Sequence, residues 1–424
     1  MKYPTYKRIL IFAFVLVSFF MCCIFIFLIK PYPGEDFAVY QRAGWNLSQG
    51  NGFSQEAGSP YFPLKWRMPL YPLFLALVYK LFGLNNNIVF IIQAIIFSAI
   101  TVILFYITKE LLNERIAYIC AFLYAIYPIG PYWAGVLYPE TLLTLLLILT
   151  VYFLIKYTIQ LKLRYLVFGF FFSGLCILAR PEFIYYPLFI ILGFLILRFR
   201  VKDVFKIAAV GFLVLTFTIG PWVVRNYKVY GRFVPLIEGY QSGHLFYLAT
   251  IEFRGNWSGV DCSKDSLLLK QKAEFAAKGY NVSEPFPFDL ALEPGVNRIF
   301  YEYAFKNIKS EPFSYALSYL KRFLRLFVAV YNSVYNPLII FVNIIVSSVI
   351  LLFGLAGLWL LRKEVAGKIM LFLPFFYVIL IHLPLKASSR YTVSVRPYLI
   401  VLASVALSAI WERISPMIEK RKQG

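Results

Sequence analysis

Residues 31–72 (PYPGEDFAVYQRAGWNLSQGNGFSQEAGSPYFPLKWRMPLYP) lie between two apolar stretches and hold adjacent carboxylates, Glu35 and Asp36, and a Lys65-Trp66-Arg67 cluster. A carboxylate in such a place can take a proton from an attacking hydroxyl, and a guanidinium can grip phosphate oxygens two at a time. A solvated connection between membrane spans is the plain alternative, but ordered connections usually run to about 4–6 residues and longer ones are usually functional. Asp36, Tyr40, Ala43 and Leu47 recur at helical spacing, which puts Asp36 at the start of a short amphipathic helix, where the dipole favours an anion. Gly50 and Gly52 then stop that helix. Neighbours on a helix point about 100° apart, so Glu35 and Asp36 cannot both face one ligand. One is the reactive group and the other a cap or a solvated charge.

Further along, charged groups recur at the ends of apolar runs. Tyr138-Pro139-Glu140-Thr141 opens one run with a carboxylate, which can equally be an acid placed by a helix dipole. Arg180-Pro181-Glu182 follows another, where a local Arg-Glu pair tying two span ends is the simplest reading. Gly220-Pro221-Trp222 leads to Arg225-Asn226-Tyr227, and Lys386 to Arg390-Tyr391 lies between the last two apolar runs. Carboxylates and a surplus of guanidinium groups at headgroup depth suit the handling of a phosphate attached to a lipid. That chemistry demands no metal, although Glu35, Asp36, Glu140 and Glu182 could hold a divalent cation if folded together. His244 and His382 are the only histidines and lack ligand-spaced partners, so no zinc pattern is present.

The elements that must position these groups are membrane helices. The chain has 424 residues, 60% hydrophobic and 15% charged, with a mean hydropathy of +0.71, against about 25% charged in soluble domains. About ten spans can be drawn, at 9–29, 87–108, 116–133, 141–155, 165–179, 183–197, 207–224, 337–361, 369–383 and 398–411, all helical because lipid leaves backbone groups no other partner. The first is read as uncleaved, being too long for a signal peptide's apolar core. Residues 70–82 are apolar but short and Pro-flanked, which predicts an interfacial helix in the first outer loop. The formal charge of +21 comes from Lys and Arg at span ends. Their distribution makes nucleic acid an unsuitable partner and, by the positive-inside rule, sets both termini in the cytoplasm of a multi-pass inner (plasma) membrane protein, with 31–86, 132–140, 180–182, 225–336 and 386–396 outside.

Three segments follow: 1–230 with the first outer loop at 30–86, an outer hydrophilic subdomain at 231–336, and the final helices with a short tail at 337–424. Helices are expected at 297–308 and 313–330, the second with Lys321, Arg322 and Arg325 either turned to lipid phosphate or, equally, forming a plain positive flank before a span. Asn46, Asn256 and Asn281 begin glycosylation acceptor patterns, and Cys262 stands alone in the hydrophilic region.

The ordered set Asp36-x-x-x-Tyr40-x-x-Ala43-x-x-x-Leu47-x-x-Gly50-x-Gly52-Phe53, Arg67-x-Pro69-x-Tyr71-Pro72, Tyr138-Pro139-Glu140, Arg180-Pro181, Pro221-Trp222-x-x-Arg225-Asn226-Tyr227 and Arg390-Tyr391 resembles bacterial C-type (GT-C) membrane glycosyltransferases. These are the relatives of protein O-mannosyltransferases and of the lipid A aminoarabinose transferase. The resemblance implies an all-α polytopic transferase using a polyprenyl-phosphate sugar donor, inverting at the anomeric carbon, with a lipid, glycan or protein as acceptor and membrane lipids as partners. It implies Asp36 as general base and Glu140 as a second catalytic acid. Arg67, Arg225, Arg390 and Lys65 would bind the donor phosphate, with Tyr40, Tyr138, Arg180, Glu182 and Tyr391 around the substrate. Glu-Asp stands where the mannosyltransferases carry Asp-Glu, and no large domain is expected after residue 411, so the acceptor stays open. A transporter or lipid flippase, and an O-antigen ligase or polymerase, are the competing classes. No internal repeat of the transporter kind is found.

Overall fold

The structure is a computed structural model describing residues 5–31, 34, 36–237, 242–251, 266–279, 296–328 and 337–423. Among them the fold is all-helical, without a strand. The chain divides into two compact units, one of Met1–Leu236, Phe341–Tyr377 and Val393–Gly424, the other of Ile237–Ile340 and Val378–Thr392. Glu35, the acceptor patterns at Asn256 and Asn281, and Cys262 lie outside the described residues.

The first unit opens with α1 (Thr5–Cys23), which passes into a π-helical turn, Ile24–Ile29, closed by Lys30 at φ +51°. Then come α2 (Asp36–Ser48) and α3 (Leu70–Phe82). Gly50 and Gly52, at φ +81° and +82°, end α2 as their sequence positions require. A side chain at Gly44 would strike the Leu75 Cβ, so α2 and α3 pack backbone-close. Along α3, Tyr71, Leu75, Val78 and Tyr79 are buried while Leu73, Leu77 and Leu81 are exposed. A short helix that is apolar on both faces fits the expected place at a membrane interface.

The bundle proper consists of α4 (Asn86–Leu111), α5 (Glu114–Ile126), α6 (Ile129–Ala134), α7 (Glu140–Gln160), α8 (Leu163–Ala179), α9 (Tyr186–Ile196) and α10 (Val201–Tyr230). Six described helices are long and apolar enough to cross a membrane, and α3, α8, Pro181–Ile196 and Ala366–His382 are shorter apolar pieces. The expected span 116–133 is broken. Tyr127 precedes Pro128 and sits extended at ψ 115°, because the proline ring excludes the helical region for the residue before it. The same rule ends α8, where Arg180 before Pro181 is extended at φ −147°, ψ 123°. Conversely α10, expected to stop at 224, runs six residues further and carries Arg225 on a helix rather than in a loop.

At one end of this unit Lys7 and Lys109 both pair with Glu114 at 2.7 and 2.8 Å, Lys156 pairs with Glu110, and Arg115 with Glu412. At the other end lie the starts of α4 and α7 and the end of α8. Gln93 of α4, fully buried, accepts from the Tyr71 hydroxyl and donates to the Ala134 and Val136 carbonyls, each at 2.9 Å. One amide thereby fixes α3 and the 134–138 loop to α4.

The second unit holds α11 (Ser242–Ile251), α12 (Ser266–Ala277), α13 (Val296–Ser310) and α14 (Pro312–Phe327). The last two match the helices expected at 297–308 and 313–330. Its core is Tyr247, Leu248, Ile251, Phe275, Val296, Phe300, Tyr303 and Ala304, threaded by hydrogen bonds from Tyr247 to Gln271, Gln271 to Asn307 and Asn307 to Thr250. The expectation that Arg322 and Arg325 face lipid phosphate is corrected. Both are buried within the unit, Arg322 donating to the Ala249 carbonyl at 2.9 Å. The chain closes with α15 (Pro337–Leu361), α16 (Ile369–His382) and α17 (Arg396–Gln423).

His244 of α11 is buried, and that burial, with the Lys386 charge second, pulls its imidazole down to about 3. The unfolded chain therefore takes up a proton near pH 6.5 that the folded unit refuses until about pH 3, so stability is complete above 6.5 and falls below it. Thermal unfolding of the detergent-solubilised chain should lose about 1.4 kcal/mol for each pH unit below 6.5, with a shallower slope in His244→Gln.

Candidate active site

Asp36 is the first residue of α2, and its Oδ1 accepts a charge-assisted hydrogen bond from Arg67 Nη2. Their side chains are 23% and 25% exposed, so the pair is seated in the protein yet open on one side. The Arg67 guanidinium also lies 5.5 Å from the Tyr40 ring centroid. Tyr40 in turn meets Tyr71 and Tyr138 edge-on at 5.2 and 6.1 Å. Gly34, at φ +69°, lets the backbone press against the Tyr138 hydroxyl where any side chain would collide. The sequence-selected Asp36, Tyr40, Arg67 and Tyr138 thus form one cluster, built on the aromatic core of α2, α3 and α4 that also contains Tyr79 and Val89.

Leu64 and Trp66 organise a second patch. Both turn into the cluster of Ala43, Phe53 and Trp222, so the intervening Lys65 and the following Arg67 are left for other partners. Lys65 Nζ lies 5.9 Å from the Tyr230 ring centroid, and Arg225 lies at the same distance from that ring. Arg225 further stacks near Trp222 at 4.8 Å and Phe53 at 5.5 Å and donates to Asn226 Oδ1 at 3.0 Å. Two cations from distant parts of the sequence share one aromatic platform, an arrangement suited to an anion because each keeps its charge while its body packs on rings.

Glu140 begins α7 and is buried. Arg180 donates to it and, through Nη1 at 2.7 Å, to Glu182. The local Arg180–Glu182 pair read from the sequence is therefore real, and it reaches across to α7 as well. The Glu182 carbonyl accepts from the Tyr377 hydroxyl. Arg390 and Tyr391 belong to the second unit, where the Tyr391 ring stacks on His382 at 4.5 Å. Among the described residues no three His, Cys, Asp or Glu side chains converge as a metal site.

Several residues of this region have roles that the sequence did not assign. Asn46 is buried and donates to the Ser54 and Glu56 carbonyls, each at 2.9 Å, so its acceptor pattern is a loop clamp. Asn226 does the same for Val234 and Leu236, and Trp222 donates to Leu236 as well. Arg396, first in α17 and buried, donates to the Tyr127 hydroxyl at 3.0 Å beside a narrow cavity lined by Phe97, Tyr124, Thr141 and Thr144. A buried guanidinium leaves no mark in a periodicity pattern. Only the long polar side chains inside apolar runs could have pointed to Gln93 and Asn226.

Because Glu140 and Arg180 are nearly enclosed, removing one partner strands the other's charge. Arg180→Ala should destabilise the chain by about 3–5 kcal/mol, read as a fall in thermal midpoint. Combining it with Glu140→Gln should restore part of that loss, since the pair as a whole is close to neutral in energy.

Residues 66–223 match the family model described as dolichyl-phosphate-mannose-protein mannosyltransferase. The matched segment contains Arg67, Tyr138, Glu140, Arg180 and Glu182. No curated protein matches the chain. Among solved structures, the archaeal oligosaccharyltransferase AglB from Archaeoglobus fulgidus, in complex with an inhibitory peptide and a dolichol-phosphate, is similar with a TM-score of 0.59 at 14% identity, over 99% of this chain and 52% of that one. An Archaeoglobus fulgidus oligosaccharyltransferase tethered with an acceptor peptide gives 0.57 at 14% identity over 95% of this chain and 50% of that one. ArnT from Cupriavidus metallidurans bound to undecaprenyl phosphate gives 0.46 at 15% identity over 99% and 81%. The chain spans about half the length of the oligosaccharyltransferase, and at these identities that likeness is one of fold. The chain thus shares an all-helical architecture with the archaeal oligosaccharyltransferase and carries, at residues 66–223, a segment that matches the mannosyltransferase family model.

Proposed function

We propose that the chain moves one sugar from a polyprenyl-phosphate donor to a hydroxyl-bearing lipid, glycan or protein acceptor at the extracytoplasmic face, with inversion. The observation that carries this reading is the placement of Asp36 with Arg67 and of Lys65 with Arg225, two charge sites joined by the three consecutive residues 65–67. Asp36 accepts the proton of the acceptor hydroxyl as its oxygen attacks the anomeric carbon. The bond from that carbon to the phosphate oxygen breaks on the opposite side, and the phosphate leaves with the electron pair. Lys65 and Arg225 meet the charge that grows on it, which lowers the barrier only insofar as it is greater there than in the bound donor. Arg67 fixes the direction of the carboxylate. Glu140, enclosed and gripped by Arg180, suits holding the ends of α7 and α8 in register rather than carrying a proton. Arg390 and Tyr391 remain expected donor and substrate contacts of the second unit.

Sidedness is part of the proposal. Lys7, Lys109, Lys156 and Arg115 gather at one end of the first unit, and short basic loops stay in the cytoplasm. The opposite end, with Asp36, then faces outward, where a lipid-linked sugar would be presented. The oligosaccharyltransferase of like fold holds a dolichol-phosphate, which accords with a carrier of that chemical class here.

In proteoliposomes supplied with a radiolabelled polyprenyl-phosphate sugar, Asp36→Asn should lower the rate constant of transfer by about 10² to 10⁴ and leave donor binding unchanged. Full activity in that variant would falsify the base assignment. Arg225→Ala or Lys65→Ala should instead raise the donor KM by roughly tenfold or more, the loss of about 1.5–3 kcal/mol per charged hydrogen bond. Donor affinity in the parent chain should also weaken with salt.

A further inference from the structure

Two adjacent helices of the second unit sort their residues in opposite ways. In α13 the buried side is Val296, Phe300, Tyr303 and Ala304, and Arg298, Glu302, Lys306 and Lys309 are on the exposed side, the ordinary pattern of a helix facing water. In α14 the buried side is Tyr315, Ser318, Arg322 and Arg325. The Arg322 guanidinium is sandwiched 4.6 Å from the Tyr315 ring and 4.5 Å from the Tyr319 ring while donating to Ala249. Turned outward are Phe313, Leu317 and Leu320, exposed by 75%, 58% and 66%, with Ala316 beside them. Their spacing of four and three residues makes one unbroken stripe along the helix.

A stripe of large apolar side chains on a helix whose cations are used inside the unit has no reason to face water. The same chain is a multi-pass membrane protein, and only residues 328–336 separate α14 from α15, which contains a membrane-length apolar run. Fully extended, those residues reach at most about 30 Å, so α14 is tethered within reach of a bilayer. Lys321 and Tyr319 lie part-buried at the two flanks of the stripe, where long amphipathic side chains can extend to headgroups while the stripe sits deeper.

We propose that α14 seats the second unit on the lipid bilayer, with Phe313, Leu317 and Leu320 entering the boundary between headgroups and acyl chains. The helix is an inverted amphipath: its charges hold the unit together and its apolar face holds the unit to the membrane. This anchorage depends on the membrane reading and not on the assignment of Asp36 or of any donor contact.

The full chain is reconstituted in vesicles of phosphatidylethanolamine and phosphatidylglycerol doped with a phospholipid bearing a diazirine in its acyl chain. After irradiation, lipid adducts are mapped by mass spectrometry. Adducts at Phe313, Leu317 and Leu320 should be comparable to those at Phe212 and Phe217, which are exposed on the membrane helix α10, and absent from Glu302 and Lys306 of α13. Leu317→Asp combined with Leu320→Asp should cut the α14 adducts severalfold and leave those on α10 unchanged. Labelling of α14 no greater than that of α13 overturns the proposal.

Discussion

Charge beside hydrocarbon must be given polar partners, and the most enclosed ion pair described in the first unit is that of Arg180 with Glu140. Pro181 forces the residue before it out of the helical region, so α8 stops there and its last side chain is free to turn. It turns to Glu140 at the start of α7 and to Glu182 in the following 3-10 turn. Two carboxylates then share one guanidinium, and the starts and ends of three helical pieces are fixed in one plane of contacts. Gln93 performs the neutral version of the same task, satisfying two carbonyls of a loop that no helix could satisfy and a phenol from α3. With those ends fixed, α2 and α3 have a rigid base on which to hold Asp36 and Tyr40.

The placement of Lys65 and Arg67 rests on a local alternation. Leu64 and Trp66 are drawn into the Phe53 and Ala43 cluster by burial, which leaves Lys65 and Arg67 for polar company. Arg67 finds Asp36 and the face of Tyr40; Lys65 finds the ring of Tyr230, nearly 170 positions later, where Arg225 also lies. Asn46 and Asn226, both buried, tie down the stretches that follow α2 and α10. The candidate site is thus held in place by buried side chains around it.

The second unit spends its cations differently. Arg322 and Arg325 are enclosed, Arg322 among tyrosine rings and against a carbonyl, and His244 is kept neutral by burial. Its cohesion therefore depends on polar groups that have left water, and a change in the protonation of His244 acts on the whole unit rather than on one contact.

How far a sequence carries such a structure can be told residue by residue. Hydropathy and proline placement determined that the chain is an all-helical membrane protein, that residues 70–82 form one short helix, that two helices fall near 297–308 and 313–330, and that Asp36 opens a helix ended by Gly50 and Gly52. These follow from the sequence because backbone satisfaction, side-chain period and the steric reach of proline and glycine act over only a few residues. The Tyr127-Pro128 break was equally local and was open to the same rule. Tertiary structure alone decided that Arg67 grips Asp36, that Lys65 and Arg225 meet at Tyr230, that Arg180 reaches Glu140, and that Arg396 is buried against Tyr127. It alone decided which face of α14 turns inward, since that helix carries apolar residues on one side and aromatic and cationic residues on the other, and its periodicity fits either orientation. Pairing between distant side chains depends on which surfaces remain after packing, and no pattern confined to a window of neighbours contains that information.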